Sequence, residues 1–558
     1  MPRSSAASHA VGIVATTLLL AAAPVSGQGL RTVPPGDRVD RLVDALLLRN
    51  PALGRHVWYG RRPWREWEID SLVAAAERDI GSPSAAGGTE GRELERGWLA
   101  LLQDEPESAE EATTVDYHNV LSARYHGEIR EDDASFEPAF RPPTFGADKG
   151  FPEHRGVLQH DFAVQVLERL VLGWRYVVDT NIRNDPSRRT LLGIRGADAA
   201  FEVLDAYAAG RAGPFHLTVG RQAISLGPGR AASPLISDSI PALDQVRGEI
   251  HADPVRFTAL VATLSRERPN RLLDLAGNTI PGSTPSDSAP VPFDVARFLY
   301  LHRVDWRVVD ELQVAISEAA VVTGVDRGVE LRFANPFIPF YLTQQEGDEA
   351  DAENVNVILN LEGVYTGLGK SRLYGDVYVQ EFFIDADKRE EIGNQLAWRA
   401  GAEWADPLGW TGGTVGAEYT RADVFTYLHR GLNTNWTTFG VPIGSMIGPD
   451  ADQLLAWADW WVAPTAVLTV DLLARRDGER SVATLESVLD AGHPDFPSGV
   501  VQREWRLGAE IWGLAPRWGV EGRARVGRRT VENIRHEAGR DRSFWEASFE
   551  IAYRLRWQ

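Results

Sequence analysis

The sequence contains no cysteine, which excludes a disulfide framework, a thiolate metal site and a cysteine nucleophile. Lysine is nearly absent as well, because only Lys149, Lys370 and Lys388 occur among the 58 basic residues. A GC-rich genome favours arginine over lysine, and guanidinium groups also suit carboxylates and sugar hydroxyls, so both explanations stay open. Acidic residues outnumber basic ones, and the formal charge of −20 argues against a nucleic-acid partner.

Long apolar runs are missing beyond the first 30 residues, where none approaches the roughly 18 apolar residues that a membrane helix needs. This absence excludes a helical membrane protein. Residues 1–27, in contrast, are typical of a signal peptide, with Arg3 before the apolar stretch Val11 to Ala23 and a small-residue cleavage site at Val25-Ser26-Gly27. We therefore predict that the protein is exported.

Catalytic motifs are missing too, since the sequence has no G-x-S-x-G, no H-E-x-x-H and no cluster of histidines. The glycines Gly227 and Gly229 match a dinucleotide-binding fingerprint superficially, but Pro228 and Pro234 exclude the helix that such a site requires. We expect a protein that is not an enzyme and has no cofactor. Carboxylate pairs for glycoside hydrolysis stay open, because their separation is invisible in a sequence.

The last segment, Ser543 to Gln558, carries the clearest positive signal. Apolar and charged side chains alternate along it, and alternation places them on opposite faces of a strand. An outer-membrane barrel needs such a closing strand, apolar toward lipid and polar toward the lumen. We expect the apolar face to be the signal for the barrel-assembly machinery, with Trp557 replacing the usual terminal aromatic. That face consists of Phe549, Ile551, Tyr553, Leu555 and Trp557.

The same period of two runs from Thr114 to the end and predicts about 18 antiparallel strands. Short connections alternate with long ones, as in bacterial outer-membrane barrels. The fold class is therefore an all-β membrane barrel closed on itself, over residues 113–558, in which the last strand pairs with the first, around Val115 to Ile129. The short connections are predicted near Leu170, Ala212, Asp253-Pro254, Val309, Gly367, Asp406-Pro407, Ala463-Pro464 and Ala515-Pro516.

Residues 28–112 have a different pattern. Apolar residues recur at helical spacing in Asp37 to Arg49, Arg65 to Arg78 and Gly91 to Gln103. These segments predict a small α-helical periplasmic domain, which the acidic linker Asp104 to Glu111 joins to the barrel. Its apolar faces need a partner, either one another or the barrel mouth.

The barrel region contains six short motifs in order: Gly220–Arg230, Ala232–Asp238, Ala334–Pro336, Leu373–Val377, Pro442–Gly444 and Gly448–Ala451. Together they resemble the capsule assembly protein Wzi family, and the resemblance covers roughly residues 114–558. Two features differ from the family pattern: Leu226 stands where the family has a tryptophan, and Gln380-Glu381 replaces an acidic pair.

The resemblance implies a non-catalytic outer-membrane lectin that binds or organises capsular polysaccharide or exopolysaccharide at the cell surface. It implies that the helical domain and both termini are periplasmic. Expected partners are the surface polysaccharide, outer-membrane lipid and the barrel-assembly machinery. An outer-membrane porin or polysaccharide conduit is the alternative, and an outer-membrane enzyme that modifies carbohydrate or lipid is a further, less favoured one.

Candidate glycan-binding residues lie in the predicted outer loops. In the loop from Ile224 to Val246, the Gly227-Pro228-Gly229 turn presents either a glycan site or a plug inside the barrel, and we favour the plug. Aromatic residues at strand ends are alternatively girdle residues at the membrane surface. The candidates are Arg221, Arg230, Ser237, Asp238, Tyr341, Tyr427, Arg430 and Trp436.

The densest acidic run, residues 346–353, is a weak candidate for Ca²⁺, since hard cations take oxygen ligands. Its carboxylates Asp348, Glu349, Asp351 and Glu353 lack the spacing of an EF-hand loop. A solvated outer loop is the favoured interpretation, and we predict no metal site.

Overall fold

The computed structural model describes residues 31–33, 38–81, 89–103, 115–130, 154–166, 169–180, 192–193, 199–231, 233–266, 295–325, 327–344, 354–382, 393–429, 432–482 and 494–557. The predicted signal peptide, the acidic linker, Arg430 and the acidic run 346–353 lie outside these residues. Among the described residues, no helix is long and apolar enough to cross a membrane.

Eighteen long antiparallel strands form one closed barrel, which confirms the predicted strand number and fold class. Each strand pairs with its neighbours in the sequence, and a two-residue strand, Leu192–Gly193, adds to the fourth. In chain order the strands are β1 (Val115–Arg130), β2 (His154–Val166), β3 (Leu170–Asp179), β4 (Ala200–Ala212), β5 (Phe215–Gln222), β6 (Leu243–Ala252), β7 (Val255–Thr263), β8 (Val295–Val309), β9 (Leu312–Val325), β10 (Val355–Tyr365), β11 (Ser371–Glu381), β12 (Gln395–Ala405), β13 (Gly413–Ala422), β14 (Ala451–Ala463), β15 (Ala466–Asp477), β16 (Gln502–Ala515), β17 (Val520–Glu532) and β18 (Arg542–Trp557).

The connections alternate in length, as predicted. Residues 213–214, 253–254, 310–311 and 464–465 are two-residue turns, whereas 264–294 is the longest connection. All short turns lie at one end of the barrel and all long connections at the other, because the strands are antiparallel. We call these the short-turn end and the long-loop end. Both β1 and β18 have their outer termini at the short-turn end.

The closing strand β18 pairs with β1, as expected from the sequence. Phe549 lies opposite Gly127, and Trp557 pairs through its backbone with Asn119. Pairing of the first and last strands leaves neither with a free edge. Along β18, Phe549, Ile551, Tyr553 and Leu555 are exposed on the outer face, while Ala552 is buried on the inner one.

Three helices lie in the N-terminal part, at the positions predicted: α1 (Arg38–Arg49), α2 (Glu66–Gly81) and α3 (Thr89–Gln103). Their apolar faces pack on one another and on the inner wall of the barrel at the short-turn end. Trp98 of α3 contacts Trp461 of β14 edge-on, with ring centroids 5.0 Å apart. The apolar faces of the helices therefore contact both partners that the sequence left open, one another and the barrel.

Residues 327–344, the described part of the connection between β9 and β10, fold over the outside of the barrel. They contain two short helices, α4 (Leu331–Ala334) and α5 (Phe340–Gln344). Side chains alternate across a strand, and on β8 the lumen side carries Leu299 and Leu301 while Tyr300 points outward. Tyr300 is nevertheless buried, because this connection covers it. We call residues 327–344 the flank loop.

Candidate functional site

The loop between β5 and β6, residues 223–242, folds into the lumen and forms a plug, the interpretation favoured from the sequence. Its first residues, Ser225–Leu226, pair with Arg61–Arg62 of the N-terminal part, and the Gly227 amide donates to the Gly60 carbonyl at 2.9 Å. Leu226, which stands where the family pattern has tryptophan, is buried in the apolar centre of the plug. The plug therefore contacts the N-terminal part inside the barrel.

The Gly227-Pro228-Gly229 turn fits against three charged residues of the wall. Both glycines have positive φ, 115° and 106°, and a Cβ at Gly229 would collide with the carboxylate of Glu418. That carboxylate accepts the Arg230 amide at 2.9 Å and the Tyr374 hydroxyl at 2.8 Å. Charge-assisted bonds of this kind hold the turn at a fixed place in the lumen.

Arg399 is another charged residue of the wall that holds the turn. Its guanidinium donates to Asp376 at 2.9 Å and 3.1 Å and also to the Ala231 carbonyl. Asp376, Arg399 and Glu418 were not singled out from the sequence. They stand at lumen-facing positions of β11, β12 and β13, so the alternation of the strands was the signal that could have found them.

At the long-loop end, the connection 423–450 packs on the plug. The Trp436 indole donates to the Leu235 carbonyl at 2.8 Å, and the Tyr427 hydroxyl donates to the Pro234 carbonyl at 3.0 Å. The Ser237 amide donates to the Ile443 carbonyl at 2.9 Å. Trp436 and Tyr427 have no exposed surface, and they belong to the same apolar cluster as the plug.

Gln380 of β11 connects this long loop to the wall. Its side chain donates to the Leu428 carbonyl and accepts the Tyr427 amide at 3.0 Å. Gln380 is one of the two residues that replace the acidic pair of the family pattern. A carboxylate could not donate to a carbonyl, so the amide fits this position.

At the short-turn end, buried ion pairs hold the N-terminal part. Arg65 reaches Glu249 of β6 at 2.5 Å, and Arg303 of β8 reaches Glu362 at 2.6 Å and Asp305 at 2.8 Å. Arg303 also donates to the Gly60 carbonyl at 3.1 Å, so it joins the wall to the N-terminal part. All of these side chains are buried. Burial lowers the pKa of Arg65, and the carboxylate of Glu249 opposes that shift.

A charged cavity of about 220 Å³ lies between α1 and the barrel wall. Arg372 of β11 crosses it, donating to Asp44 of α1 at 3.2 Å and to Glu403 of β12 at 2.7 Å. Arg230 lines the same cavity and pairs with Asp459 of β14 at 2.9 Å. These pairs tie α1 to β11 and β12 and the plug to β14.

Asp44 depends on two arginines for its charge. Burial alone would raise the pKa of Asp44, but the guanidinium groups of Arg62 and Arg372 hold it below the ordinary value. Arg62 lies 3.3 Å from Asp44 and 2.6 Å from Asp40. The docking of α1 in the barrel therefore favours the ionised form of Asp44.

The residues predicted for glycan binding do not form one surface. Ser237, Tyr427 and Trp436 are buried in the closed interior, and Arg230 lines the cavity beside α1 with 38% of its side chain exposed. Arg221 points outward at the long-loop end of β5, where it pairs with Asp244 at 2.9 Å. Asp238 is exposed, and Tyr341 is exposed on the flank loop outside the barrel. Arg430 lies outside the described residues.

Other arginines, not singled out from the sequence, remain accessible at the long-loop end. Arg421 lies over the ring of Phe496, with its guanidinium carbon 3.7 Å from the ring centroid. Arg476 faces the same ring at 6.0 Å, and Arg480 faces Phe425 at 5.8 Å. Sequence reasoning could have found these arginines because they stand at or just beyond the ends of the alternating strands. Together they form a basic and aromatic rim.

The carboxylates Asp348, Glu349, Asp351 and Glu353, considered for Ca²⁺, lie outside the described residues. Among the residues that are described, no group of three or more acidic or histidine side chains is arranged to hold a metal ion.

The family model of the capsule assembly protein Wzi matches residues 122–543. Among solved structures, the chain is similar to Wzi from Escherichia coli, described as an outer-membrane protein involved in group 1 capsule assembly and as a carbohydrate-binding β-barrel. The two share 12% identity over 93% of this chain and 98% of that one, with a TM-score of 0.57. OprD from Pseudomonas aeruginosa is 10% identical over 81% and 96% of the two chains, with a TM-score of 0.42. No curated protein sequence matches significantly.

Proposed function

Because the chain belongs to the capsule assembly protein Wzi family, we propose that it is a non-catalytic outer-membrane barrel that binds and organises a surface polysaccharide. The observation that carries this proposal is the closed lumen. In the described residues, the N-terminal helices fill the short-turn end, and the plug with connection 423–450 fills the long-loop end. A barrel closed in this way contacts a polymer at its surface rather than passing it through.

The orientation follows from barrel architecture. Short turns face the periplasm in bacterial outer-membrane barrels, and long loops face outward. We therefore place the helical domain and both termini in the periplasm, where the barrel-assembly machinery meets β18. The long-loop end then faces the capsule.

The rim of Arg421, Arg476, Arg480 and Phe496 is the contact surface we propose for sugar. Guanidinium groups donate in a planar fork that suits hydroxyls and carboxylates, and an aromatic ring offers an apolar face. Arg476 keeps 48% of its side chain exposed although it pairs with Asp452. Arg221 remains a candidate at the same end. Asp238 lies within the lumen, close enough to Asp40 and Arg62 of the N-terminal part to interact with them electrostatically, and Tyr427 and Trp436 are buried in the interior.

A porin or polysaccharide conduit is less well supported. The cavity between α1 and the wall measures about 220 Å³ and is crossed by the Arg372 ion pairs, and a second cavity, of about 550 Å³, lies between α1, α3 and the short-turn ends of β16 and β18. An enzyme would need a reacting group that touches the polymer. The charged side chains of the interior are paired with one another and lie beneath the plug.

The test is binding of the purified full-length barrel to polysaccharide isolated from the same cells. We expect saturable binding that the Arg421→Ala/Arg480→Ala variant loses, because both guanidinium groups are then absent from the rim. Arg528→Ala is the matched control, since Arg528 is also exposed but stacks on Trp545 of the outer wall. In cells, deletion of the gene should lower cell-bound polysaccharide and raise the released fraction. Unchanged amounts of both would contradict the proposal.

A further inference from the structure

The flank loop covers polar groups on the lipid side of the wall. His302 of β8 and Glu318 of β9 are direct cross-strand partners, and their side chains approach to 2.9 Å. Both point outward, since Arg303 and Ser317, their neighbours along the chain, face the lumen. A histidine and a carboxylate exposed to hydrocarbon would be costly, so this pair needs shelter.

Phe340 of α5 covers the His302–Glu318 pair. Its ring lies 4.3 Å from the His302 ring, and its backbone amide donates to Glu318 at 2.9 Å. The Glu330 amide donates to the outward-pointing hydroxyl of Tyr300 at 2.8 Å. Phe333 and Phe340 are fully buried against the outer wall. The loop is therefore docked on the outside of the barrel by hydrogen bonds and ring contacts.

The opposite face of the loop is apolar and exposed. Phe337 is 90% exposed, Leu331 83% and Tyr341 62%, and Val329 and Leu342 are also exposed. On the same strands, the next outward residues toward the short-turn end, Val304 and Ile316, are exposed as well. The apolar face of the loop thus continues the apolar outer surface of the barrel wall.

The height of the loop on the wall is that of the membrane. Tyr300, beneath the loop, and the exposed Trp306 are six residues apart on β8, which is about 20 Å along the strand and, at a tilt of about 40°, about 15 Å along the barrel axis. The apolar band of an outer-membrane barrel is about 25 Å tall. A loop docked at Tyr300 therefore meets the band at its long-loop side.

The polar edge of the loop carries two guanidinium groups. Arg327 and Arg332 both pair with Glu330. Arg332 keeps 30% of its side chain exposed. Guanidinium groups beside an apolar face are the arrangement of segments that lie in a membrane interface and meet lipid phosphates.

We propose that the flank loop is a lipid-binding element, which inserts Phe337, Leu331 and Tyr341 among acyl chains and sets Arg327 and Arg332 at the phosphate level. The lipid that contacts the exposed apolar face of the flank loop belongs to the membrane leaflet on the long-loop side. The inference rests on the membrane placement in the proposed function but not on polysaccharide binding. It assigns Tyr341 to lipid rather than to sugar.

The absence of cysteine makes the test direct, because any introduced cysteine is the only one. Single variants Phe337→Cys and Tyr341→Cys of the full-length barrel carry a nitroxide label in vesicles of phosphatidylethanolamine and phosphatidylglycerol. Collision with oxygen, which enters hydrocarbon, is compared with collision with a charged nickel chelate, which does not. Ile316→Cys on β9 is the control for lipid, and Glu537→Cys in the exposed connection 533–541 is the control for water.

We expect the oxygen-to-nickel ratio at both loop positions to match Ile316→Cys and to exceed Glu537→Cys by roughly tenfold, because a charged chelate is excluded from hydrocarbon. A ratio equal to that of Glu537→Cys would overturn the proposal. Labels shielded from both probes would overturn it as well, since a second copy or another protein would then cover the face. If Ile316→Cys itself gives the ratio of water, the membrane placement fails, and this outcome is distinct from failure of the loop alone.

Discussion

The two ends of the barrel are closed by different interactions. At the short-turn end, the buried pair Arg65–Glu249 binds the N-terminal part to the wall, and Arg303, which pairs with Glu362 within the wall, donates to the Gly60 carbonyl. At the long-loop end, the closure depends on apolar side chains and on hydrogen bonds to backbone carbonyls, as at Trp436 and Tyr427. Apolar side chains pack at both ends, and the short-turn closure adds buried ion pairs to them.

The difference indicates which conditions open each end. An ionic closure weakens when one partner of a buried pair is removed, because the other charge stays buried and unpaired. An apolar closure weakens when volume is removed, because a cavity is left behind. The substitutions below test this distinction, from the largest expected effect to the smallest.

Trp436→Ala should have the largest effect at the long-loop end. It removes a fully buried indole and its hydrogen bond to Leu235, and such a change in a core costs about 3–5 kcal/mol. We expect a lower urea midpoint of unfolding and faster hydrogen exchange around Tyr427, but no current in planar bilayers, because the N-terminal part still fills the short-turn end. Trp545→Ala, at a half-exposed position of the outer wall, is the control and should leave exchange around Tyr427 unchanged. A fully stable Trp436→Ala barrel with wild-type exchange would falsify the apolar closure.

Arg303→Ala should weaken the short-turn end by a similar amount. It leaves Glu362 without its Arg303 partner, while Asp305 keeps Arg256 at 3.2 Å, and a broken buried pair costs about 3–5 kcal/mol. We expect faster hydrogen exchange in α1 and α2, with little change around Tyr427. The exposed pair Arg503–Glu532 serves as control, because Arg503→Ala should cost about 0–1 kcal/mol. Equal acceleration at both ends would show that the two closures are not separate.

Tyr427→Phe should have a smaller effect. It leaves the Pro234 carbonyl and the Ser445 amide without their shared hydroxyl, at a cost of about 1–3 kcal/mol. The ring stays in place, so the apolar closure persists and conductance should remain low. Urea unfolding of the reconstituted barrel measures the loss. A midpoint identical to that of the wild type would argue that water replaces the hydroxyl.

Asp44→Asn should have the smallest effect, and one that depends on pH. The arginines beside Asp44 hold its pKa below the ordinary value in the folded protein, so its charge stabilises docking above that ordinary value and less as pH falls through the folded-state pKa. We expect the variant to be less stable than the wild type at neutral pH and nearly equal to it in strong acid. Urea midpoints at both pH values measure the difference. A difference in urea midpoint between wild type and variant that grows at acidic pH would contradict this prediction.

The barrel could be predicted from the sequence because strand alternation has a fixed period. Phe549, Ile551 and Tyr553 recur at every second position, so the lipid face, the strand number and the closing pair with β1 follow from the pattern. The plug at Gly227 and Gly229 was also foreseen, since that turn needs residues that tolerate positive φ.

The loops could not be placed in the same way, because residues outside strands have no fixed period. Nothing in the sequence shows that Tyr427 and Trp436 turn inward while Tyr341 lies on the outer wall. Within the flank loop, Phe340 is fully buried and Phe337, three residues earlier, is 90% exposed. Phe340 is the buried one because Tyr300 and the His302–Glu318 pair lie beneath it on the wall.

Conductance of the purified wild-type barrel in a planar bilayer tests the closed lumen, on which the proposed function rests, most directly. Almost no current is expected at neutral pH from the wild type or from Trp436→Ala and Arg303→Ala, each of which leaves the other end closed, and current is expected only from the double variant. A steady, ohmic current through the wild-type protein would contradict it, because the barrel would then be a conduit.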